Sequence, residues 1–206
     1  MIKKTEASLH NIQPLAQTTL PTRYGVFQMA VYSGDNVALW VGDIATKAPL
    51  LRMHSECLTG DTFGSAKCDC GEQLDAALQR IQDDGCGILL YLRQEGRGIG
   101  LVNKIKAYAL QETGLDTVDA NRALGLPDDM RDYTLALQML QSLSVTHVRV
   151  LTNNPTKIGA LESNGIRVVS RESIQIASND VNHDYLVTKK QRMGHLLDFD
   201  NEHITS

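Results

Sequence analysis

Two short apolar runs, each followed by a polar loop and a helical pattern, constrain the fold of this 206-residue chain most. The run CGILLYL (86–92) precedes the glycine-rich RQEGRGIG (93–100), and VRVLT (148–152) precedes NNPTK (153–157). A continuous apolar run of this length is typical of a buried strand in a parallel sheet. In such sheets, ligand-binding groups collect at the carboxyl ends of the strands. The sequence therefore predicts an α/β (α+β mixed) fold with a functional edge.

The first quarter of the chain predicts an N-terminal β-meander. Residues 1–22 carry little pattern and are expected to form a lead-in. Three β-rich runs follow at 24–33, 36–44 and 48–55, joined by short turns. Together with the later strands they predict a layered mixed β-sheet with flanking helices, in a single domain over 1–206. The lead-in and the tail 198–206 are expected to be flexible.

Amphipathic patterns predict the flanking helices. The clearest runs from an N-cap at Asp69 to Gly85, with an apolar stripe at i, i+3, i+4 and i+7. A second helix is predicted after residue 100, with Leu101, Ile105, Tyr108 and Ala109 on one side. The connection 114–131 is expected to be long and irregular. Four further elements are predicted: a helix through residues 136–143, a short helix that begins near Lys157, a strand at 166–170 and a short helix in the tail.

Three cysteines predict a metal site. Cys57, Cys68 and Cys70 lie within fourteen residues, in a segment rich in Gly, Asp, Ser and Thr. Three thiolates on one loop can bind one zinc ion and leave its fourth position open, as in catalytic zinc sites. Isolated cysteines are often only small buried hydrophobes, but a C-x-C pair in a polar loop does not fit a core. The spacing also differs from the paired C-x-x-C knuckles of structural zinc ribbons.

Composition limits the remaining possibilities. The formal net charge of −4 argues against general nucleic-acid binding, so an anionic ligand would need a local cluster of cations. The first residues do not resemble a signal peptide, and no apolar run approaches the ~20 residues of a membrane span. The four cysteines do not form a disulfide framework. We therefore expect a soluble, cytoplasmic protein without a membrane or nucleic-acid partner.

These residues alone predict a zinc hydrolase that acts on an anionic, phosphorylated metabolite. Zinc would supply hydroxide at neutral pH, and arginines would hold phosphate oxygens. The alternative is a zinc-binding or redox-sensing module without catalysis. It gives no purpose to the charged segments that follow the buried strands.

Six segments resemble GTP cyclohydrolase II, and the match extends from about residue 24 to residue 197. The resemblance implies a zinc-dependent and Mg²⁺-dependent enzyme of riboflavin biosynthesis that acts on GTP. It also implies a homodimer. The family is often fused to a 3,4-dihydroxy-2-butanone 4-phosphate synthase domain, for which 206 residues leave no room, so we expect the stand-alone enzyme. The segments are RMHSECLTGD, CDCGEQLDAAL, RQEGRGIGLVNKIKAYALQ, DANRALGLPDDMRDYTLA, VRVLTNNPTKIGALESNGI and GHLL.

The resemblance also implies roles for individual residues. Asp129 would be a proton acceptor, Arg131 would act at the α-phosphate, and Tyr108 would lie by the guanine ring. Whether Arg131 is a covalent nucleophile or stabilises charge stays open, because a guanidinium is rarely deprotonated. The metal ligands would be Cys57, Cys68 and Cys70. The GTP-binding residues would be Arg52, Met53, His54, Ser55, Glu56, Gln73, Glu95, Gly96, Arg97, Thr117, Thr152 and Lys157.

The implied reaction has two parts. Water adds to C8 of the purine ring, and formate leaves after ring opening; separately, the bond between the α- and β-phosphates breaks. The alternative within the family is a paralogue that stops at a formamidopyrimidine nucleotide, and the position of Tyr108 argues against it.

Overall fold

One mixed seven-stranded sheet organises the protein. The computed structural model describes residues 12–197, so the predicted tail 198–206 lies outside the described residues. The strand order is β1-β2-β3-β5-β4-β6-β7. The predicted layered mixed sheet is therefore confirmed. The strands are β1 (Ala16–Thr22), β2 (Gly25–Tyr32), β3 (Asn36–Val41), β4 (Leu50–Ser55), β5 (Gly87–Leu92), β6 (His147–Leu151) and β7 (Arg167–Glu172).

The N-terminal meander is confirmed, but it consists of β1, β2 and β3, which pair antiparallel. We predicted the run 48–55 as its third strand, and this was wrong. That run contains β4, which pairs in parallel with β5 and β6 in the middle of the sheet. Its side chains are buried almost throughout, as in a central strand covered on both faces.

The expected lead-in also needs correction, because Ala16–Thr22 form the edge strand β1. Most of its side chains are exposed, so it lacks the apolar alternation by which strands are recognised. Residues 1–11 lie outside the described part of the chain.

The described part of the chain has seven helices, which flank the sheet or lie in the connections between its strands. They are α1 (Leu58–Asp61), α2 (Cys70–Asp84), α3 (Gly100–Gln111), α4 (Thr117–Ala123), α5 (Thr134–Ser142), α6 (Pro155–Glu162) and α7 (His183–Met193). The predicted helix after Asp69 is confirmed as α2, and Gly85 ends it with a φ of 71°. No helix within residues 12–197 is long and apolar enough to cross a membrane.

The core has two parts, one on each face of the sheet. Neighbouring residues of a strand point to opposite faces. Leu51, Ile88 and Val150 therefore pack in one cluster with residues of α5 and α6. Leu50, Leu89 and Leu151 pack in the other cluster, against Ala77 and Ile81 of α2. Full burial of such a side chain contributes about 1.5–3 kcal/mol, so helices on both faces stabilise the central strands.

Two helical regions differ from the prediction. In α3 the buried residues are Lys104 and Ala107, whereas Leu101 and Ile105 of the predicted stripe are 37% and 48% exposed. Lys104 can occupy the inner face of α3, although it is charged, because its ammonium group pairs with Glu95.

The connection 114–131 is not wholly irregular, because it contains α4. The side chain of Asp116 caps this helix, and its Oδ1 accepts hydrogen bonds from the backbone N–H groups of Val118 and Asp119.

Candidate functional site

A deep pocket lies where the loops after β4, β5 and β6 meet. Its empty volume is ≈ 1140 Å³, including open solvent at the mouth. The carboxyl ends of these three parallel strands share one edge of the sheet, as the sequence predicts. The predicted residues that line it are Arg52, His54, Ser55, Glu56, Cys57, Cys68, Cys70, Gln73, Glu95, Gly96, Arg97, Tyr108, Thr117, Arg131, Thr152 and Lys157.

Two predicted residues, Met53 and Asp129, do not line the pocket. Met53 alternates with Arg52 and His54 along β4, so its side chain points into the core and is 1% exposed. Its backbone oxygen nevertheless accepts a hydrogen bond from Lys157 Nζ at 2.6 Å. Asp129 lies behind Arg131, to which it is paired.

The three predicted metal ligands converge at one end of the pocket. Their sulfur atoms all lie within 4.8 Å of one another, and Cys57 Sγ and Cys68 Sγ are 3.6 Å apart. Gly60 makes this packing possible, because a Cβ atom there would lie 2.9 Å from Cys68 Sγ. Three soft donors at this separation fit a zinc ion with three protein ligands.

The thiols share negative charge unequally. Hydrogen bonds from Cys68 and Cys70, and the ammonium of Lys104, lower the pKa of Cys57. Lys104 Nζ lies 3.1 Å from Cys57 Sγ. A hydrogen bond to Cys57 raises the pKa of Cys68 to about 11. A separate hydrogen bond to Cys57 also raises the pKa of Cys70. A divalent cation would favour the thiolate form of all three.

Asp61 fixes the backbone at Cys57. Its Oδ2 accepts hydrogen bonds from the Cys57 N–H at 3.0 Å and from the Tyr91 hydroxyl at 2.8 Å. Oδ1 lies 3.0 Å from His54 Nε2, and the His54 ring stacks on Tyr91. Burial lowers the pKa of His54 despite this carboxylate. These contacts orient the first thiol of the cluster.

Glu95 joins the glycine-rich loop to the cysteine loop. Its Oε2 accepts a hydrogen bond from Leu58 N–H at 2.6 Å, and its Oε1 accepts from Lys104 Nζ at 2.8 Å and from Gly96 N–H at 2.9 Å. The carboxylate is only 8% exposed. Burial opposes the charge of Lys104, but the hydrogen bonds to Glu95 and Cys57 outweigh it and raise the lysine pKa.

The glycine-rich loop also contacts the loop of Arg131. Arg97 adopts a φ of 62°, which costs a non-glycine residue about 1–3 kcal/mol. In this conformation its carbonyl oxygen accepts a hydrogen bond from Met130 N–H at 3.0 Å. Arg97 and Arg131 therefore line the same pocket from loops far apart in sequence.

Arg131 and Asp129 form an ion pair in which the arginine side chain is 11% exposed and the aspartate side chain is 35% exposed. Arg131 Nε donates to Asp129 Oδ1 at 2.9 Å, and a second contact joins Nη2 to Oδ2. Burial raises the pKa of Asp129, but the hydrogen bonds and charge of Arg131 outweigh it and lower the pKa. Burial likewise opposes the charge of Arg131, whose pKa is raised by Asp129. Both groups are therefore ionised.

Lys157 is buried without a carboxylate partner in the described chain. Burial and the nearby charges of Arg52 and Arg131 lower its pKa well below the ordinary value. An anion in the pocket would offset these costs. The position therefore supports the sequence prediction that Lys157 serves an anion.

Several pocket residues were not among the predicted set. Asn153 and Asn154 follow a predicted strand end, and Lys104 lies four residues before Tyr108 on α3, so all three residues carried a signal. Asp69, between two predicted metal ligands, and His195, in the segment GHLL, also carried a signal, whereas Tyr185 and Lys189 carried none. The unpredicted polar lining residues are Asp69, Lys104, Gln111, Asn121, Asn153, Asn154, Tyr185, Lys189 and His195.

Unpaired hydrogen-bonding atoms in the pocket wall indicate what it binds. Within residues 12–197, four buried nitrogen atoms of pocket-lining residues have no hydrogen-bond partner. Buried polar nitrogens of this kind are costly unless a ligand or water satisfies them. A ligand rich in acceptor oxygens, such as a phosphate ester, fits the guanidinium donors among them, whereas His54 Nδ1 is an acceptor because Nε2 donates to Asp61. The atoms are Arg52 Nε, His54 Nδ1, Arg97 Nη1 and His195 Nδ1.

Comparison with known proteins agrees with this chemistry. A family model described as GTP cyclohydrolase II matches residues 13–173. Among similar proteins, "Riboflavin biosynthesis protein RibBA" of Bacillus cereus (strain ATCC 10987 / NRS 248) is 52% identical over 187 residues, covering 88% of this chain and 47% of that protein. The protein of the same name from Bacillus mycoides (strain KBAB4) is also 52% identical, covering 88% of this chain and 47% of that protein. The chain thus spans about half the length of these relatives.

Among solved structures, the fold resembles RibBX, described as a two-domain 3,4-dihydroxy-2-butanone 4-phosphate synthase from A. baumannii. The TM-score is 0.46 with 17% identity, covering 82% of this chain and 41% of that one. This likeness is too slight to support an argument.

Proposed function

Because the chain belongs to the GTP cyclohydrolase II family, we propose that it hydrolyses GTP in the first step of riboflavin biosynthesis. The purine ring opens with release of formate, and the phosphate chain loses diphosphate. The product is 2,5-diamino-6-(5-phosphoribosylamino)pyrimidin-4(3H)-one. The observation that carries the proposal is one pocket lined both by three converging thiols and by two arginines, Arg52 and Arg97, that each have a buried, unpaired guanidinium nitrogen.

The thiol end of the pocket would perform the ring opening. A zinc ion held by Cys57, Cys68 and Cys70 would activate water for attack on the purine ring. Lys104 and Glu95 hold the Cys57 loop in place through direct contacts.

Tyr108 lies next to the thiol end, and burial raises its pKa to about 12. Its hydroxyl therefore keeps its proton and can donate a hydrogen bond to the base.

The cationic end would bind the phosphates. Arg97, Arg131 and Lys157 line the pocket, and Mg²⁺ would accompany the phosphates, as the family resemblance implies. The ionised state of Arg131 supports stabilisation of charge at the α-phosphate, as arginine does in phosphoryl transfer. Asp129 orients this guanidinium through its bidentate contact and would accept a proton during the reaction.

A product assay tests this function. Zinc-loaded protein incubated with GTP and Mg²⁺ should release formate and diphosphate, and mass spectrometry should show the pyrimidinone. Release of formate alone, or a formamidopyrimidine product, would indicate the paralogue reaction. Absence of both products would overturn the proposal.

A further inference from the structure

The C-terminal segment forms one wall of the pocket, although the family model ends at residue 173. Tyr185, Lys189, His195 and Leu197 all line the pocket. Gly194 ends α7 with a φ of 65°, and the chain then turns back. Leu196 N–H donates to the backbone oxygen of Asn153 at 2.8 Å, which holds the turn at the carboxyl end of β6.

Lys189 is anchored within this wall. Its Nζ donates to Asp69 Oδ1 at 2.8 Å and lies 4.3 Å from the centre of the Tyr185 ring. The hydrogen bond from His195 N–H to the Lys189 backbone oxygen, at 3.1 Å, places the histidine beside it. The position of His195 is therefore set by backbone contacts on both sides.

The imidazole of His195 faces positive charge. Burial lowers its pKa to about 4, and the charges of Lys189, Arg131, Arg97 and Lys157 add to the effect. Its Nδ1 has no hydrogen-bond partner within residues 12–197 and is shielded from solvent.

Carboxylates offset only part of this charge. Asp69 pairs with Lys189, and Asp129 pairs with Arg131. Arg97 Nη1, in contrast, is buried and unpaired like the imidazole nitrogen. A neutral imidazole among these cations is a suitable hydrogen-bond donor for an anionic ligand.

We propose that His195 is a further substrate-binding residue, which donates a hydrogen bond to the phosphate chain of the nucleotide. This inference rests on the proposed function, because it needs a nucleoside triphosphate in this pocket. A bound triphosphate would also neutralise the surrounding cations and favour protonation of the imidazole. Binding near pH 6 should therefore take up a proton at His195.

Binding measurements on zinc-loaded protein test this role. The ligands are a GTP analogue with an uncleavable methylene bridge between the α- and β-phosphates, and guanosine, which has no phosphate. His195→Ala and His195→Leu should bind the analogue at least about tenfold more weakly, the loss of one charge-assisted hydrogen bond, with guanosine affinity unchanged. His195→Asn or His195→Gln should recover part of the affinity. Calorimetry in two buffers of different ionisation enthalpy should show less proton uptake in the variants than in the wild type, and the difference is the part contributed by His195.

A matched control is His147→Asn, in a half-buried histidine at the start of β6 beside Thr146. It should bind both ligands like the wild type. The inference is overturned if the apolar variants bind the analogue as tightly as the wild type, or lose analogue and guanosine affinity equally. If those variants do not fold, absence of proton uptake in the wild type overturns it. Failure of the wild type to bind the analogue would instead refute the proposed function and the inference with it.

Discussion

At the scale of single residues, the pocket keeps several groups in environments that cost folding free energy. Arg97 has a positive φ, and Lys157 is buried with no carboxylate partner among residues 12–197. Such costs persist where ligand binding offsets them. Stability and function should therefore respond in opposite directions to substitution at these positions.

Lys157→Met should stabilise the unliganded protein and weaken binding of GTP. Removing a poorly compensated buried charge should raise the free energy of unfolding by about 1 kcal/mol or more. Denaturant titration and calorimetry would measure the two effects. Lys106→Met, in an exposed residue of α3, is the matched control and should change neither. A less stable Lys157→Met protein would contradict this account.

The same lysine predicts a dependence on pH. The pKa of Lys157 is lower in the folded protein than its ordinary value of 10.5. Between those two pKa values the unfolded chain binds more protons, so this group makes stability rise with pH up to about 10.5. The stability advantage of Lys157→Met over the wild type should accordingly shrink as the pH rises through this window. An advantage that stays constant across it would show that the residue is not buried as a charge.

Gly60→Ala should disturb the thiol cluster, because the added Cβ would lie 2.9 Å from Cys68 Sγ and 3.2 Å from Cys57 Sγ. Overpacking of this kind costs about 1–3 kcal/mol, so zinc should bind roughly tenfold more weakly or worse. Competition with a chromogenic chelator would measure the change. Gly159→Ala meets no atom within 4 Å and is the control. Equal zinc affinity in both variants would show that the thiols are not tightly packed.

Single residues also show how far sequence reasoning reaches. The spacing of Cys57, Cys68 and Cys70 predicts a local cluster, and the structure brings their sulfur atoms together. Asp61 and Lys189 could not be assigned, because their roles depend on contacts with His54 and Asp69 that only the fold creates.

At the scale of elements, local patterns predict the helices and strands better than their order. Helix α2 and strands β5 and β6 follow from periodicity and apolar runs. The place of β4 between β5 and β6 does not, because parallel pairing joins segments separated by a crossover helix. The carboxyl edge that carries the site was predictable because it needs only parallel pairing.

The cap of α4 provides a test at this scale. Asp116→Ala should lower the free energy of unfolding by about 1 kcal/mol, because two backbone N–H groups lose their acceptor. Asp116→Asn keeps the acceptor and loses only the partly exposed pair with Arg192, so it should retain most of the stability. Thermal unfolding of the three proteins would measure this. Equal losses would assign the stability to the ion pair.

At the scale of the whole molecule, α3 faces outward with apolar side chains. Leu101, Val102 and Ile105 are 37%, 69% and 48% exposed. We propose that this face contributes to the homodimer implied by the family resemblance. Light scattering should give twice the mass of the 22.7 kDa chain, and Val102→Asp should shift the equilibrium towards monomer. A monomeric wild type would contradict the proposal.

For the whole molecule, we propose that one pocket combines a three-thiol metal site with a cationic phosphate site. The most direct measurement is parallel quantification of formate and diphosphate from zinc-loaded wild type, Cys68→Ser and Arg131→Ala, each shown to be folded. Cys68→Ser should lose formate release and keep part of the diphosphate release, whereas Arg131→Ala should lose diphosphate release. Arg122→Ala, in an exposed arginine paired with Asp128, is the control and should retain both. Loss of both products together in each folded site variant would contradict the division of the site into two chemical halves.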